Sequence, residues 1–85
     1  MKQLRIKIPF KEGLHARPSL ILANICNKIN SDIVFSKGDK EVNPKSILGI
    51  MTLGAVYGDE VVLKVTGEDE EKAMEMIKQY FNECY

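Results

Sequence analysis

Gly13-Leu14-His15-Ala16-Arg17-Pro18 decides how the rest of the chain is read. Proline lacks an N–H and fits a helix only in its first turn. Pro18 therefore puts the start of a helix near Ala16, with His15 at or near the N-cap. From there Ser19, Leu22, Ala23 and Cys26 recur at i, i+3, i+4 and i+7, a stripe that faces a core, while Leu20, Ile21 and Asn24 fall off it. The helix should fade over Asn27–Asn30. A helix start offers unpaired backbone N–H groups and a partial positive charge, so it holds anions. His15 is the only histidine of the chain. An imidazole at that position is a nucleophile beside a ready-made phosphate site, with the cationic Arg17 close by.

Upstream, residues 3–8 alternate, with Leu4, Ile6 and Ile8 on one face and Gln3, Arg5 and Lys7 on the other, as in a half-buried strand. Pro9 stops it, and Lys11-Glu12-Gly13 reads as loop. Downstream, Asp32–Ser36 is a second strand carrying Ile33, Val34 and Phe35. Lys37-Gly38-Asp39-Lys40 is a tight hairpin signal, and Glu41-Val42-Asn43 is a short third strand. Pro44 and Lys45 break it, and Ser46 is a good N-cap for a short helix from Ile47 to about Leu53. Gly54 is placed to end that helix in the left-handed conformation. Tyr57-Gly58-Asp59 turns the chain into a fourth strand, Glu60–Thr66, with Val61, Leu63 and Val65 inward. Asp69 caps the last helix, with Glu70 and Glu71 in its first turn, where acids suit the dipole. Ala73, Ile77, Tyr80 or Phe81, and Cys84 give its buried stripe. The order β-α-β-β-α-β-α contains no linker and no repeat, so residues 1–85 read as one α+β domain. A four-stranded antiparallel sheet with three helices packed on one face is the expected architecture.

Composition excludes several classes of function. A chain of 85 residues supports one modest core. Its formal net charge is zero, with 12 basic and 12 acidic residues, so nothing draws the whole molecule to nucleic acid or membrane. Anion recognition must be local. The opening Met1–Lys7 lacks the apolar run of a signal peptide, and no stretch approaches the ~18 apolar residues of a membrane span. The expected location is the cytoplasm, with Cys26 and Cys84 as reduced thiols. One histidine and two distant cysteines make no zinc site. Neither Gly49 nor Gly54 is followed by the Lys-Ser or Lys-Thr of a nucleotide loop, and no spacing suggests a Ser-His-Asp arrangement. No cofactor is expected. The run Glu68-Asp69-Glu70-Glu71 reads as a cap and a solvated first turn.

The Gly13–Pro18 stretch and a second one, Asn43-Pro44-Lys45-Ser46-Ile47-Leu48-Gly49-Ile50-Met51-Thr52-Leu53-Gly54-Ala55, together resemble one family over essentially the whole chain. That family is HPr, the histidine-containing phosphocarrier of the bacterial phosphoenolpyruvate:sugar phosphotransferase system. The resemblance implies an open-faced β-sandwich and a carrier that is a protein substrate in a relay rather than an enzyme. It implies that His15, through Nδ1, takes a phosphoryl group from charged enzyme I and passes it to sugar-permease A domains. A neutral imidazole nitrogen is a good nucleophile, and the N–P bond it forms transfers easily. The N–H groups of Ala16 and Arg17 can cradle the phosphoryl oxygens, and the Arg17 guanidinium can pair with them.

In the Gram-positive branch of the family, the serine matching Ser46 is phosphorylated by an ATP-dependent HPr kinase/phosphorylase. The modified form acts in carbon catabolite repression through catabolite control protein A. As a helix N-cap, Ser46 also has an ordinary structural role. The resemblance further implies that Leu20, Ile21, Asn24, Ile47, Leu48 and Met51 form a partner-docking surface, with Asn27 and Lys28 on its polar rim, and that the protein is a monomer. Three positions depart from the family's habit. Glu12 replaces a small or amide residue, and its carboxylate would either oppose the arriving phosphoryl group or point to solvent. Ser19 replaces an alanine, with a hydroxyl able to bond back to a carbonyl. Leu48 replaces a Met or Phe. A regulatory paralogue acting through phosphorylated Ser46, with little role in sugar transport, is the alternative. The purely regulatory members of the family lack the histidine that this chain keeps.

Overall fold

Alternation in the first residues of the chain forms a strand because a partner with matching alternation lies far along the sequence. In the computed structural model, which describes residues 1–83, β1 (Lys2–Lys7) pairs antiparallel with β4 (Glu60–Thr66), from Lys2 opposite Val65 to Lys7 opposite Glu60. The other side of β4 pairs with β2 (Asp32–Lys37), which turns at Gly38-Asp39 into β3 (Lys40–Val42). The sheet is antiparallel throughout, in the order β1-β4-β2-β3. Three helices complete it: α1 (Ala16–Cys26), α2 (Ile47–Thr52) and α3 (Glu70–Glu83).

The inward rows of the strands, Ile6, Ile33, Phe35, Val61, Leu63 and Val65, meet the buried faces of the helices. In α1 that face is Ser19, Leu22, Ala23 and Cys26, and in α3 it is Ala73, Ile77 and Phe81, as the helical spacing requires. Tyr80 is half-buried beside Phe81, and Cys84 lies outside the described residues. Cys26 is a free thiol; burial pushes it up to about 12, so it is inert rather than reactive. The buried Ser19 hydroxyl donates to the Leu14 carbonyl at 3.1 Å, which gives its polar atom a partner inside the core. No helix among the described residues is long and apolar enough to cross a membrane.

Three strand expectations shift by a residue. The first strand runs over Lys2–Lys7 rather than 3–8, the second extends to Lys37 rather than Ser36, and the third runs over Lys40–Val42 rather than 41–43. One expectation changes more. Asp69 precedes α3 but does not cap it with its side chain. Its carboxylate accepts from the backbone N–H groups of Asn30 and Ser31, each at 2.9 Å, and from the Ser31 hydroxyl. This ties the start of α3 to the loop after α1, and Glu70 reaches back to the Gly67 N–H instead. The Ser31 hydroxyl first, then the Asn30 amide, hold the Asp69 carboxyl below the ordinary carboxylate range.

A folded-state value below the unfolded one means that this contribution is complete above about pH 4 and is lost as pH falls through the depressed value. Asp69→Ala should therefore destabilise the protein near neutrality and flatten the acid limb of its stability. Asp59 and Glu70, also held low, leave a residual slope. Urea midpoints measured from about pH 3 to 6 check this; a variant whose midpoint falls with acid as steeply as the parent's contradicts it.

Candidate functional site

The loop between β1 and α1 is fixed by backbone before any functional side chain is placed. Gly13 has φ +78, and a Cβ there would stand 2.7 Å from the Ala55 carbonyl oxygen. Only glycine fits both the conformation and the approach. Gly13 N–H bonds to Phe10, and the next residue, Leu14, donates to Ala55 at 3.0 Å, so the loop is anchored to the segment after α2. Phe10 adds an apolar anchor, its ring centroid 6.0 Å from those of Tyr80 and Phe81.

His15 then stands at the N-cap of α1, with extended backbone and no side-chain capping bond. Its carbonyl accepts the first helical bond, from Ser19 at 3.0 Å. The imidazole is free for other work and 45% exposed. Nδ1 takes part in no hydrogen bond among the described residues. The backbone donors of Ala16 and Arg17 belong to the first turn and have no helical acceptor, while Pro18 contributes none. The Arg17 guanidinium is exposed and makes no ion pair among the described residues. Pro9, Phe10, Lys11, Glu12, His15, Arg17 and Pro18 line one shallow surface depression. Glu12 does not simply point to solvent: its Oε2 is 3.2 Å from His15 Nε2.

Ser46 is the N-cap of α2. Its Oγ accepts from the Gly49 N–H at 3.1 Å, and the side chain remains exposed. Ser46→Ala should cost about 0.5–2 kcal/mol and lower the melting temperature by roughly 4–8 °C per kcal/mol. Asn or Asp at the same position should restore most of it, and no change on alanine substitution would refute the capping role. Gly54, at φ +70, follows the helix as its left-handed terminator. Carbonyls at and just past the end of α2 also receive two lysines whose spacing predicts no such contact. Lys40 Nζ donates to Thr52 at 2.9 Å, and Lys37 Nζ to Gly54 at 3.0 Å while pairing with Asp59.

Helices α1 and α2 pack side by side and leave a common apolar surface. Leu20 (46%), Ile21 (38%), Ile47 (39%), Leu48 (72%) and Met51 (42%) are all exposed, although Ile50 between them is completely buried. Asn24 is exposed on α1 as well, as is Lys28 beyond it. Asn27, expected on the polar rim, is exposed too and has a structural role besides. Its amide donates to Ala23 and, at 2.9 Å, to the Lys45 carbonyl, clasping the end of α1 to the residue before Ser46. Among the described residues no group of three or more His, Cys, Asp or Glu could hold a metal ion.

An exposed imidazole on bare helix amides, an exposed N-cap serine and an apolar face around them match what comparison with known proteins returns. The family model described as "PTS HPr component phosphorylation site" matches residues 2–83. The HPr-like protein Crh of Bacillus subtilis is 40% identical over 83 residues, covering 98% of each chain. The phosphocarrier protein HPr of Mycoplasma pneumoniae is 38% identical over 79 residues, covering 92% of this chain and 90% of that one. The crystal structure of HPr-C-His from Thermoanaerobacter tengcongensis superposes with a TM-score of 0.94 at 40% identity, over 99% of this chain and 94% of that one. With the sequence motifs, the open-faced sheet and the whole-length matches agreeing, the chain belongs to the HPr family of the phosphotransferase system.

Proposed function

We propose that this protein is a cytoplasmic phosphocarrier, one domain over its whole length, that accepts a phosphoryl group on His15 Nδ1 from phosphorylated enzyme I and delivers it to sugar-permease A domains. The observation that carries this reading is the state of the α1 N-terminus: a half-exposed imidazole whose Nδ1 is unengaged among the described residues, beside first-turn amides without helical acceptors and a guanidinium that makes no ion pair among the described residues. In the step itself the Nδ1 lone pair forms the N–P bond as the phosphorus–donor bond breaks, its electron pair leaving with the donor. Charge on the three equatorial phosphoryl oxygens is met by the amides of Ala16 and Arg17 and by the Arg17 guanidinium. The donor arrives activated, so the chain needs no base, metal or cofactor of its own and acts as a substrate of its partners.

The apolar residues of α1 and α2, with Asn24 at their edge, are the surface on which enzyme I and the permease domains dock. Unbranched, adaptable Met51 among aliphatics suits one face that reads several partners. The carrier is proposed to be a monomer, the state the family resemblance implies. Ser46 gives a second reading a specific footing: its hydroxyl is exposed at a helix start and borders the docking face. Phosphorylation there by the ATP-dependent kinase would place a dianion in that face, blocking enzyme I and creating a surface for catabolite control protein A. The 40% identity to the HPr-like protein Crh keeps a regulatory paralogue as the alternative.

The deciding experiment is intact mass after mixing the purified protein with enzyme I and phosphoenolpyruvate, before and after mild acid. Gain of one phosphoryl group that acid removes is the expected result, with amide shift changes in the same mixture centred on Leu20, Ile21, Leu48 and Met51. No gain from enzyme I, but an acid-stable gain at Ser46 from the kinase and ATP, would overturn the carrier reading in favour of the regulatory one.

A further inference from the structure

The neighbour of His15 that departs from the family's habit is the one in contact with its ring. Glu12 Oε2 is 3.2 Å from Nε2, at the long end of the N–H···O range. The backbone of the loop brings the two residues within reach of each other. Gly13 N–H is bonded to Phe10 and His15 N–H to Gly13, at 2.9 and 3.0 Å, so residues 12 and 15 are held on one turn. A neutral imidazole carries one proton, and the bond made by one nitrogen decides the state of the other. An ionised carboxylate can only accept. With Glu12 at Nε2, the proton belongs on Nε2 and the lone pair on Nδ1.

We propose that Glu12 is a positioning residue for the phosphoryl-accepting imidazole: its carboxylate takes the Nε2–H, keeps the lone pair on Nδ1 and balances the charge the ring acquires as the N–P bond forms. The proposal rests on the reading of His15 as the acceptor. When a neutral ring attacks through Nδ1, no proton leaves; the Nε2–H stays and the ring becomes cationic. A carboxylate at Nε2 meets that charge as it develops, the part an aspartate plays behind a catalytic histidine. Repulsion of the incoming anion works against it, but Glu12 contacts the nitrogen that does not react. Lys11 and Arg17 line the same depression and offset its charge. Glu12 is 81% exposed, so water and salt screen the effect and keep it modest.

The test compares wild type, Glu12→Ser, Glu12→Gln and Glu12→Asp with 15N-labelled histidine, above the ordinary imidazole range of about 6.5. Phosphorylation is driven by phosphoramidate, a small donor that needs no docking. The expected result is an Nε2 resonance in the wild type displaced by its acceptor and restored toward the free-ring value in the serine variant. Phosphorylation of that variant should be slower by about two- to fivefold, the size that an exposed pair supports, with the gap shrinking as salt rises. Asp should rescue more than Gln. Unchanged ring shifts in Glu12→Ser, or a serine variant as fast as or faster than wild type, would overturn the proposal. If the wild type itself takes no phosphoryl group, the acceptor reading falls, while the 15N comparison still decides whether Glu12 controls the ring.

Discussion

His15→Ala is expected to take up no phosphoryl group from any donor that charges the wild type on histidine, and to melt within roughly 2–4 °C of it. The loss is complete because the variant has no imidazole left: His15 is the only histidine in the sequence. Ser46, the other phosphorylation candidate, is an alcohol that would give an acid-stable ester, so the acid-labile signal cannot migrate to it. The fold should hardly respond, since the His15 side chain makes no capping bond and what α1 needs from this residue is its carbonyl. The lost contact to Glu12 is exposed and worth little to stability. Intact mass with and without acid, beside a melting curve, separates the two statements. An acid-labile adduct on the variant would move the site elsewhere, and a variant that fails to fold would make the histidine structural.

Much of this was legible because the deciding signals are local. Pro18 fixes where α1 can begin, the stripe from Ser19 to Cys26 fixes which side goes inward, and the structure buries those four residues as the spacing demands. Ser46 and Gly54 bracket α2 for equally local reasons, a side-chain acceptor at one end and a left-handed residue at the other. The alternating rows of β1 and β4 needed only their own periodicity. Their ends did not follow from it, because a strand stops where its partner stops. β1 ends at Lys7 since Glu60, its opposite number, begins β4.

What stayed hidden depends on contacts between distant residues. Asp69 carries the sequence mark of a helix cap, yet its acceptor capacity is taken by the Asn30 and Ser31 amides, 39 and 38 residues away. Nothing in the spacing of Lys37 or Lys40 predicts that each would find a carbonyl at the end of α2, nor that Phe10 would join the rings of Tyr80 and Phe81. The candidate site divides in the same way. His15, Ala16, Arg17 and Ser46 were placed by helix-end rules. The exposure of Leu20, Ile21, Leu48 and Met51 followed from their position off the buried stripes. From sequence, Glu12 can either oppose the phosphoryl group or face solvent, because side-chain direction in a loop depends on turn geometry that composition does not reveal. The structure gives a third arrangement, a contact with the ring itself.

The largest loss of stability is expected from Phe35→Ala. Phe35 is fully buried on β2, opposite Leu63 on one side and Val42 on the other, so it ties β3 to the centre of the sheet. Its ring centroid is 6.5 Å from that of Phe81 on α3, and Phe81 continues to Phe10 and Tyr80. Removing the ring therefore opens a cavity at the contact between sheet and helix layer. Deletions of this kind cost about 3–5 kcal/mol. A domain of this length has roughly 4–13 kcal/mol in total, so the variant should lose more than about 12 °C in melting temperature. Val56→Ala, at an exposed position (56%), is the control and should stay within about 0.5 kcal/mol of wild type. Denaturant midpoints decide it, and a midpoint for Phe35→Ala equal to that of wild type would mean that this ring is not part of what holds the layers together. The functional consequence is equally specific. Phe35 belongs to neither α1 nor α2, so phosphoryl uptake on His15 should fall only in proportion to the unfolded fraction and should recover in full wherever added osmolyte restores the fold.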